Sequence, residues 1–463
     1  MKKHKPFPEV LRFKKLLGPS FIILALGLGS GEVILWPYLA SNYGLGIFWA
    51  AIVGITCQYF INMEISRYAL IKGESVFVGM EKVFRWTPYW FILSTFIGFG
   101  LPGIIAASAK VLAVMFGIED FRLIAILMLI GIGVLLSVSK RVYDMMENLT
   151  KVIIVVGVTM VVALAIFLSK QSDWVALLNG AVGRGEGFFL IPAGISLAAF
   201  FGAFAYSGAG GNLNLTQSIY IKEKGYGMGK YSQKIAGFFK NIREKEHIKL
   251  AGERFEMTPE NVKRFKSWWK LISLEHLFVF WFIGCVAMGL LMLLSYTTTF
   301  GLEGNISGIN FVINEGNIIS SQTSAVLGTI FLCLVSLFLF QTQLGILDST
   351  SRIMAENYAL KKLGDDDEGT INLSKIYFIF LWAQIIFGSI LFLAGVYEPK
   401  SLIILGAVIN AIAMTVHIAL VNITNHKALP KALLPSLPRK IILGLIFIIF
   451  FIFSLTTLIV EIL

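Results

Sequence analysis

Apolar residues run along this chain in continuous blocks of about 20, and the polar residues collect between the blocks. Each block matches the roughly 20 residues that a helix needs to cross the hydrocarbon core of a bilayer. Bounding the blocks by charge or by Gly, Pro and Asn clusters predicts eleven spans, near 17–41, 46–71, 89–116, 122–138, 150–169, 188–221, 271–296, 324–348, 375–396, 401–421 and 440–461. The strands of a membrane barrel would instead alternate over about ten residues. The pattern therefore predicts an all-α membrane protein of eleven transmembrane helices, with residues 1–463 forming a single transmembrane domain.

Composition narrows the class further. Of 463 residues, 56% are hydrophobic and 14% charged, where soluble domains carry about 25% charged residues. Soluble enzymes, disordered regulators and secreted disulfide scaffolds are excluded. Cys57, Cys285 and Cys333 stand singly in apolar stretches, with no Cys-x-x-Cys pair and no His at ligand spacing, so neither a disulfide framework nor a zinc site is expected. No apolar core with a small-residue cleavage site follows the basic residues 1–16, so the first span is expected to remain as the membrane signal.

The net charge of +11 is explained by its distribution and implies no nucleic-acid partner. With the N-terminus cytoplasmic, the inner segments hold 34 of the 39 Lys and Arg; the outer segments hold only Arg122, Lys170, Arg184 and Lys400, and Lys110 lies inside the third span. That asymmetry follows the positive-inside rule and predicts a multi-pass protein of the cell membrane, its C-terminus outside and the lipid bilayer its principal partner. The largest inner connection, 222–270, has thirteen basic and six acidic residues and ends in Lys266-Ser267-Trp268-Trp269-Lys270. Its composition predicts a cytoplasmic loop with a membrane-surface helix anchored by the two Trp residues, the alternative being a regulatory or partner-binding role. The acidic run Asp365 to Glu368 lacks the alternating ligand spacing of a calcium loop and reads as a solvated turn.

Two spans carry helix-breaking runs at mid-membrane: Gly27-Leu28-Gly29-Ser30-Gly31-Glu32 in the first, and Ser207-Gly208-Ala209-Gly210-Gly211-Asn212 in the sixth. Each Gly costs a helix interior about 1 kcal/mol relative to Ala. Backbone unwound at that depth must be buried in protein or line a cavity, where it can bind an ion or a polar solute. The runs open the first and second sets of five spans, 17–169 and 188–421, so the halves cross in opposite senses, as in a 5+5 inverted repeat, with 440–461 as an eleventh helix. A pocket for cargo is expected between Gly29 and Gly210.

Several segments resemble the Nramp (natural-resistance-associated macrophage protein) divalent-metal transporters of the amino acid-polyamine-organocation superfamily: Gly18-Pro19, Ser66-Arg67-Tyr68-Ala69-Leu70, Phe116-Gly117-Ile118, Asn212-Leu213-Asn214-Leu215, and Gln341 through Glu356. The resemblance implies the superfamily's eleven-helix fold, alternating access and, in typical members, proton coupling. The binding motifs differ. Where the family has Asp-Pro-Gly-Asn this chain has Gly29-Ser30-Gly31-Glu32, and where it has Met-Pro-His this chain has Ala209-Gly210-Gly211. The second family His falls on Thr216, and the acidic pair of helix 3 falls on Leu101 and Ile104. Loss of the Met sulfur removes a bias toward soft transition ions, whereas a harder cation such as Mg²⁺, which keeps part of its water, is compatible with one carboxylate plus carbonyls.

Glu32 is the expected cation ligand or protonatable coupling group, because an ionisable side chain at mid-membrane is costly without a task; the structural alternative is a first-turn residue stabilising a half-helix N-terminus. Substrate contacts are expected from Gly29, Ser30, Gly31, Glu32, Gly208, Ala209, Gly210, Gly211, Asn212, Gln341 and Gln343. Lys110 reads either as a snorkelling residue or as an ammonium standing in for a cation beside Glu32. Asp348, Asn410 and His417 are weaker candidates. The leading function is a secondary active transporter of a small cation, with no resident cofactor and a proton or sodium ion as coupling ion. The alternatives are a carrier of a neutral or zwitterionic organic solute, and a non-transporting sensor of the same fold. No nucleotide-binding loop and no nucleophile–base pair occurs, so an enzyme is not expected.

Overall fold

The computed structural model describes residues 4–11, 19–27, 29–138, 142–233, 246–364 and 368–462. Gly18 and Leu28 of the runs above, and Asp365 to Asp367, lie outside them. The first stretch of helix is α1 (Pro19–Gly27), a π-helical segment Ser30–Leu35, and α2 (Trp36–Tyr43). Then come α3 (Phe48–Lys72), α4 (Val76–Val83), α5 (Thr87–Gly100), α6 (Gly103–Met115), α7 (Arg122–Val138), α8 (Val142–Leu168) and α9 (Gln171–Gly180). The next group is α10 (Leu197–Ala205), a 3₁₀ segment Gly211–Leu215, α11 (Thr216–Lys224), α12 (Pro259–His276), a π-helical segment Leu277–Phe282, and α13 (Ile283–Thr299). The chain ends with α14 (Asn310–Gln322), α15 (Ala325–Leu363), α16 (Leu373–Leu393), α17 (Pro399–Ala428) and α18 (Leu437–Ile462).

Local chemistry sets many of these boundaries. Ser196, Thr258, Ser324, Asn372 and Glu398 each accept a hydrogen bond from a first-turn amide of the helix they open, and Pro259 and Pro399 follow two of these caps, where a missing N–H costs nothing. Gly73 ends α3 at φ 66°, the left-handed conformation common after a helix.

Among the described residues, eight helices are long and apolar enough to cross a membrane, and a ninth counts if Val155–Leu168 and Gln171–Gly180, bent by 120°, form one span. The protein is therefore a multi-pass α-helical membrane protein. Large apolar side chains stay exposed on α7, α16 and α18, among them Leu123, Leu127, Ile379, Ile386, Ile441 and Leu445, the faces that lipid would cover.

Four sequence expectations are corrected. The run 89–116 is interrupted at Leu101-Pro102, because Pro cannot donate the helical bond and pushes its predecessor into extended backbone, here φ −70°, ψ 122°. The run 188–221 becomes helical only at Leu197. The run 324–348 continues as helix to Leu363, since its charges are paired: Arg352 Nε donates to both oxygens of Asp348 at 3.0 Å. Finally, the expected membrane-surface helix is the first part of one helical run, Pro259–Thr299. Trp268 in it is buried, donating Nε1–H to the Pro8 carbonyl at 3.0 Å, and the Arg67 guanidinium lies 3.9 Å from the Trp269 ring centroid.

The end of the molecule bearing this basic connection is tied together by residues distant in sequence. β1 (Glu246–Lys249) pairs antiparallel with β2 (Glu368–Ile371), setting Glu246 opposite Ile371 and Lys249 opposite Glu368. The N-terminal segment lies along α12: Phe7 N–H donates to Asn261 Oδ1 at 3.0 Å and Arg264 Nη1 donates to the Phe7 carbonyl at 2.9 Å. The Phe7 ring is fully buried against Phe255 and Phe265.

Candidate functional site

Both glycine runs break their helices. Between α10 and the 3₁₀ segment the chain leaves helical geometry over Tyr206–Gly210, with φ 122° at Gly208, 66° at Gly210 and 53° at Gly211, values that side chains with a Cβ rarely adopt. The backbone groups freed by this break find side-chain partners. Gln58 of α3 donates Nε2–H to the Ala205 carbonyl at 2.9 Å and its Oε1 accepts from Gly210 N–H at 3.1 Å, so one amide serves both sides of the break. Trp36 Nε1 donates to Ser207 Oγ at 3.0 Å, and Asn212 Nδ2 donates to Ser94 Oγ at 2.8 Å and Thr95 Oγ1 at 3.0 Å.

The first span breaks more gently. Gly29 has φ −151° and ψ −92°, its amide donates to the Gly27 carbonyl at 2.5 Å, and π-helical geometry follows over Ser30–Leu35. Thr342 of α15 donates Oγ1–H to the Ala25 carbonyl at 3.2 Å, capping α1 from outside. Gly31 meets the Tyr206 carbonyl with no room for a Cβ, and Gly29 is likewise closed against Thr342.

Among the described residues, the glycines expected to flank a cargo pocket meet neighbours directly: Gly29 packs on Thr342, Gly210 on the Tyr206 ring, and Gly211 on Asn410. A cavity of about 20 Å³ lies to one side, bounded by Gly98, Leu101, Ile104, Tyr206, Gln343 and Gly406, space for about one water molecule.

Glu32 sits at the centre of this packing. It is fully buried in the first turn of the π-helical segment. A Cβ placed on Gly27 would lie 2.7 Å from Glu32 Oε1 and 2.7 Å from the Gly208 carbonyl carbon, so only Gly lets the three meet. Among the described residues neither carboxylate oxygen reaches a hydrogen-bond partner. A buried polar group without a partner costs about 1–3 kcal/mol, more when charged. Such a group calls for an explanation in function or in an absent ion or water.

The structure gathers Gly29, Ser30, Gly31, Glu32, Gly208, Ala209, Gly210, Gly211 and Asn212 at or beside the two breaks, all buried. Gln343 lines the small cavity; Gln341, two residues earlier on α15, is buried and is not among its lining residues. The Lys110 Nζ and Glu398 Oε1 both face Gly308, in the connection preceding α14. Asp348 forms the ion pair with Arg352 and accepts from the Tyr377 hydroxyl at 2.8 Å. Asn410 donates Nδ2–H to the Gly98 carbonyl and Tyr206 Oη, both at 2.8 Å. His417 is buried, and among the described residues neither ring nitrogen has a hydrogen-bond partner. Thr216 donates within its own turn to Leu213, and Leu101 and Ile104 are apolar walls of the cavity. Among the described residues, no group of three or more His, Cys, Asp or Glu is placed to hold a metal ion.

Sequence reasoning missed Gln58, Tyr206 and Thr342, which brace the breaks from α3, the sixth-span loop and α15. Gln58 was findable, because it and Asn62 are amides inside an apolar span, as Gln341 and Gln343 are. Thr342 and Tyr206 carry no such signal.

The fold and the two facing breaks define a polytopic helical membrane protein of the interrupted-helix class. Solved structures of the manganese transporter of Eremococcus coleocola, determined as single-residue variants, share this fold at a TM-score of 0.70 with 13% sequence identity, over 99% of this chain and 89% of theirs. A structure of the same transporter in complex with an aromatic bis-isothiourea-substituted compound matches at a TM-score of 0.68, again with 13% identity, over 98% of this chain and 89% of that one. No family model and no curated protein sequence matches the chain.

Proposed function

We propose that this chain is a secondary active transporter of the Nramp type that carries a small cation, with Glu32 as its charged ligand. The observation that carries the reading is the Glu32 carboxylate, buried at the meeting point of two broken helices and without a hydrogen-bond partner among the described residues. The fold shared with a manganese transporter supports a metal as cargo. One carboxylate supplemented by backbone carbonyls at the breaks, those of Gly27 and Tyr206, is an oxygen donor set; with Ala209 contributing no sulfur, it suits a hard ion that keeps part of its water. Mg²⁺ fits this set better than a soft transition ion.

In this reading eleven spans form a 5+5 inverted repeat with an additional helix, 122–138 and 188–221 completing the count, and the basic end faces the cytoplasm. The closed packing at Gly29, Gly31 and Gly210 is an occluded conformation, and rocking the broken helices against the remaining spans opens the site alternately to either side.

The test is ligand-induced stabilisation of the purified protein with Mg²⁺, Mn²⁺, Ca²⁺ and Na⁺, wild type against Glu32→Gln. A native-state ligand at 100 times its Kd stabilises by about 2.7 kcal/mol. One or more divalent ions should raise the melting temperature of the wild type, and the Glu32→Gln protein should not respond. An equal response in both proteins would remove Glu32 from the site.

A further inference from the structure

A second buried carboxyl touches the other end of α1. Ser20, in the first turn of α1, donates Oγ–H to Glu275 Oε2 at 2.5 Å, and the same oxygen lies 2.8 Å from His276 Nδ1. Ser20 has one proton and gives it to Glu275, so it accepts from His276 Nδ1–H. All three side chains are buried, and Glu275 Oε1 and His276 Nε2 have no partner among the described residues. The arrangement is a hydrogen-bonded chain, imidazole to hydroxyl to carboxylate, ending at His276 Nε2 on one side and Glu275 Oε1 on the other.

Two further observations tie this chain to the cation site. Ser20 and Gly27 lie seven residues apart on one short rigid helix, about 10 Å at 1.5 Å per residue, and Gly27 is the residue packed on the Glu32 carboxylate. Moreover, the two π-helical segments found among the described residues are the one containing Glu32 and the one that starts immediately after His276. Such segments interrupt α-helices chiefly where function requires it.

We propose that Ser20, Glu275 and His276 form a proton-binding relay, and that α1 links its protonation state to occupancy at Glu32. A proton arriving on His276 Nε2 lets Nδ1–H pass to Ser20 Oγ while the Ser20 hydroxyl proton passes to Glu275 Oε2. The products are neutral His276 protonated at Nε2, the Ser20 hydroxyl and a neutral Glu275 carboxylic acid. One proton has been gained and no other bond has changed.

The surroundings contain little else that titrates. From α3, the Tyr59 ring stacks on His276 at 5.6 Å between centroids, its hydroxyl donating to the Ser273 carbonyl at 3.3 Å, with Arg439 beyond it. The next π-helical segment contributes Phe280, stacked at 4.6 Å. On α1, Ser20 is the one polar side chain acting on the carboxyl among the described residues, and residues 12–18 lie outside them.

This proposal rests on the transporter reading, and one experiment separates the two. The full chain in proteoliposomes is supplied with Mn²⁺ or Mg²⁺, with an internal divalent-sensitive dye and, in parallel, an internal pH dye. The wild type should move the ion faster under an acid gradient, with proton movement alongside. Glu275→Gln should keep the flux measured at symmetrical pH but lose gradient stimulation and proton movement entirely; His276→Gln, which retains a polar partner for Ser20, should do the same and serves if Glu275→Gln does not fold. Ser20→Ala should slow proton movement. Acid-stimulated flux and proton movement at wild-type levels in Glu275→Gln or His276→Gln would overturn the relay, as would wild-type ion flux with no proton movement. A wild type that moves neither ion would overturn the transporter reading itself and the relay with it.

Discussion

Asn410 offers a quantitative check on how the broken core is held together. Pro102 has no N–H, so the Gly98 carbonyl, four residues earlier, lacks its helical donor. Asn410 of α17 supplies the replacement, donating Nδ2–H at 2.8 Å, and it also donates to Tyr206 Oη at 2.8 Å and to Gly406 in its own helix at 2.9 Å. Asn410→Leu removes the first two bonds. An unmet buried group costs about 1–3 kcal/mol, and the Tyr206 hydroxyl can turn toward the neighbouring cavity, so a loss of about 2–4 kcal/mol is expected. Adding Pro102→Ala returns a backbone donor to Gly98 and should recover about 1–3 kcal/mol, a favourable coupling in a double-mutant cycle. The assay is unfolding of the four proteins in mixed micelles with increasing dodecyl sulfate, followed by Trp fluorescence. Additive effects of the two substitutions, with no rescue, would refute the reasoning.

Two further outcomes follow from the basic end. Asp348→Ala leaves the Arg352 guanidinium and Tyr377 hydroxyl buried without their shared acceptor and should cost about 3–5 kcal/mol, whereas Asp348→Leu with Arg352→Met and Tyr377→Phe should unfold close to wild type; the same titration reads both, and a harmless single substitution would contradict the pairing. Trp268→Ala removes the bond to the Pro8 carbonyl and the 5.5 Å contact with the Tyr226 ring, so limited proteolysis should cut residues 4–11 faster while ion-induced stabilisation stays unchanged. Equal cleavage rates would mean that the remaining contacts, those of Phe7 and of the Pro6 carbonyl with the Tyr231 hydroxyl, hold the segment without Trp268.

The helical class and the position of both breaks were legible because membrane helices need long apolar runs and because clustered Gly weakens them wherever they occur. What Gly does at a break was not legible. At Gly27, Gly29 and Gly31 the residue both interrupts a helix and admits a neighbour, and spacing alone cannot say that the space is filled by Glu32, Thr342 and the Tyr206 carbonyl. The continuity of α12 into α13 was hidden because a run of Lys and Trp resembles a surface helix, whereas Trp268 is enclosed by the N-terminal segment. Charges misled in the opposite direction at α15, where Asp348 and Arg352 satisfy one another one turn apart and the helix passes through them. Glu275 and His276 were overlooked because they stand next to a charged connection, and their burial depends on α1, 255 residues earlier in the chain.

The most direct test of the central claim, that a cation is carried through the break of spans one and six by Glu32, is flux. Proteoliposomes containing wild-type or Glu32→Gln protein, loaded with a divalent-sensitive dye, are given Mg²⁺ or Mn²⁺ outside. Saturable entry is expected with the wild type, falling to the rate of protein-free vesicles with Glu32→Gln while the variant still elutes as a folded protein. Entry through Glu32→Gln at the wild-type rate would contradict the account.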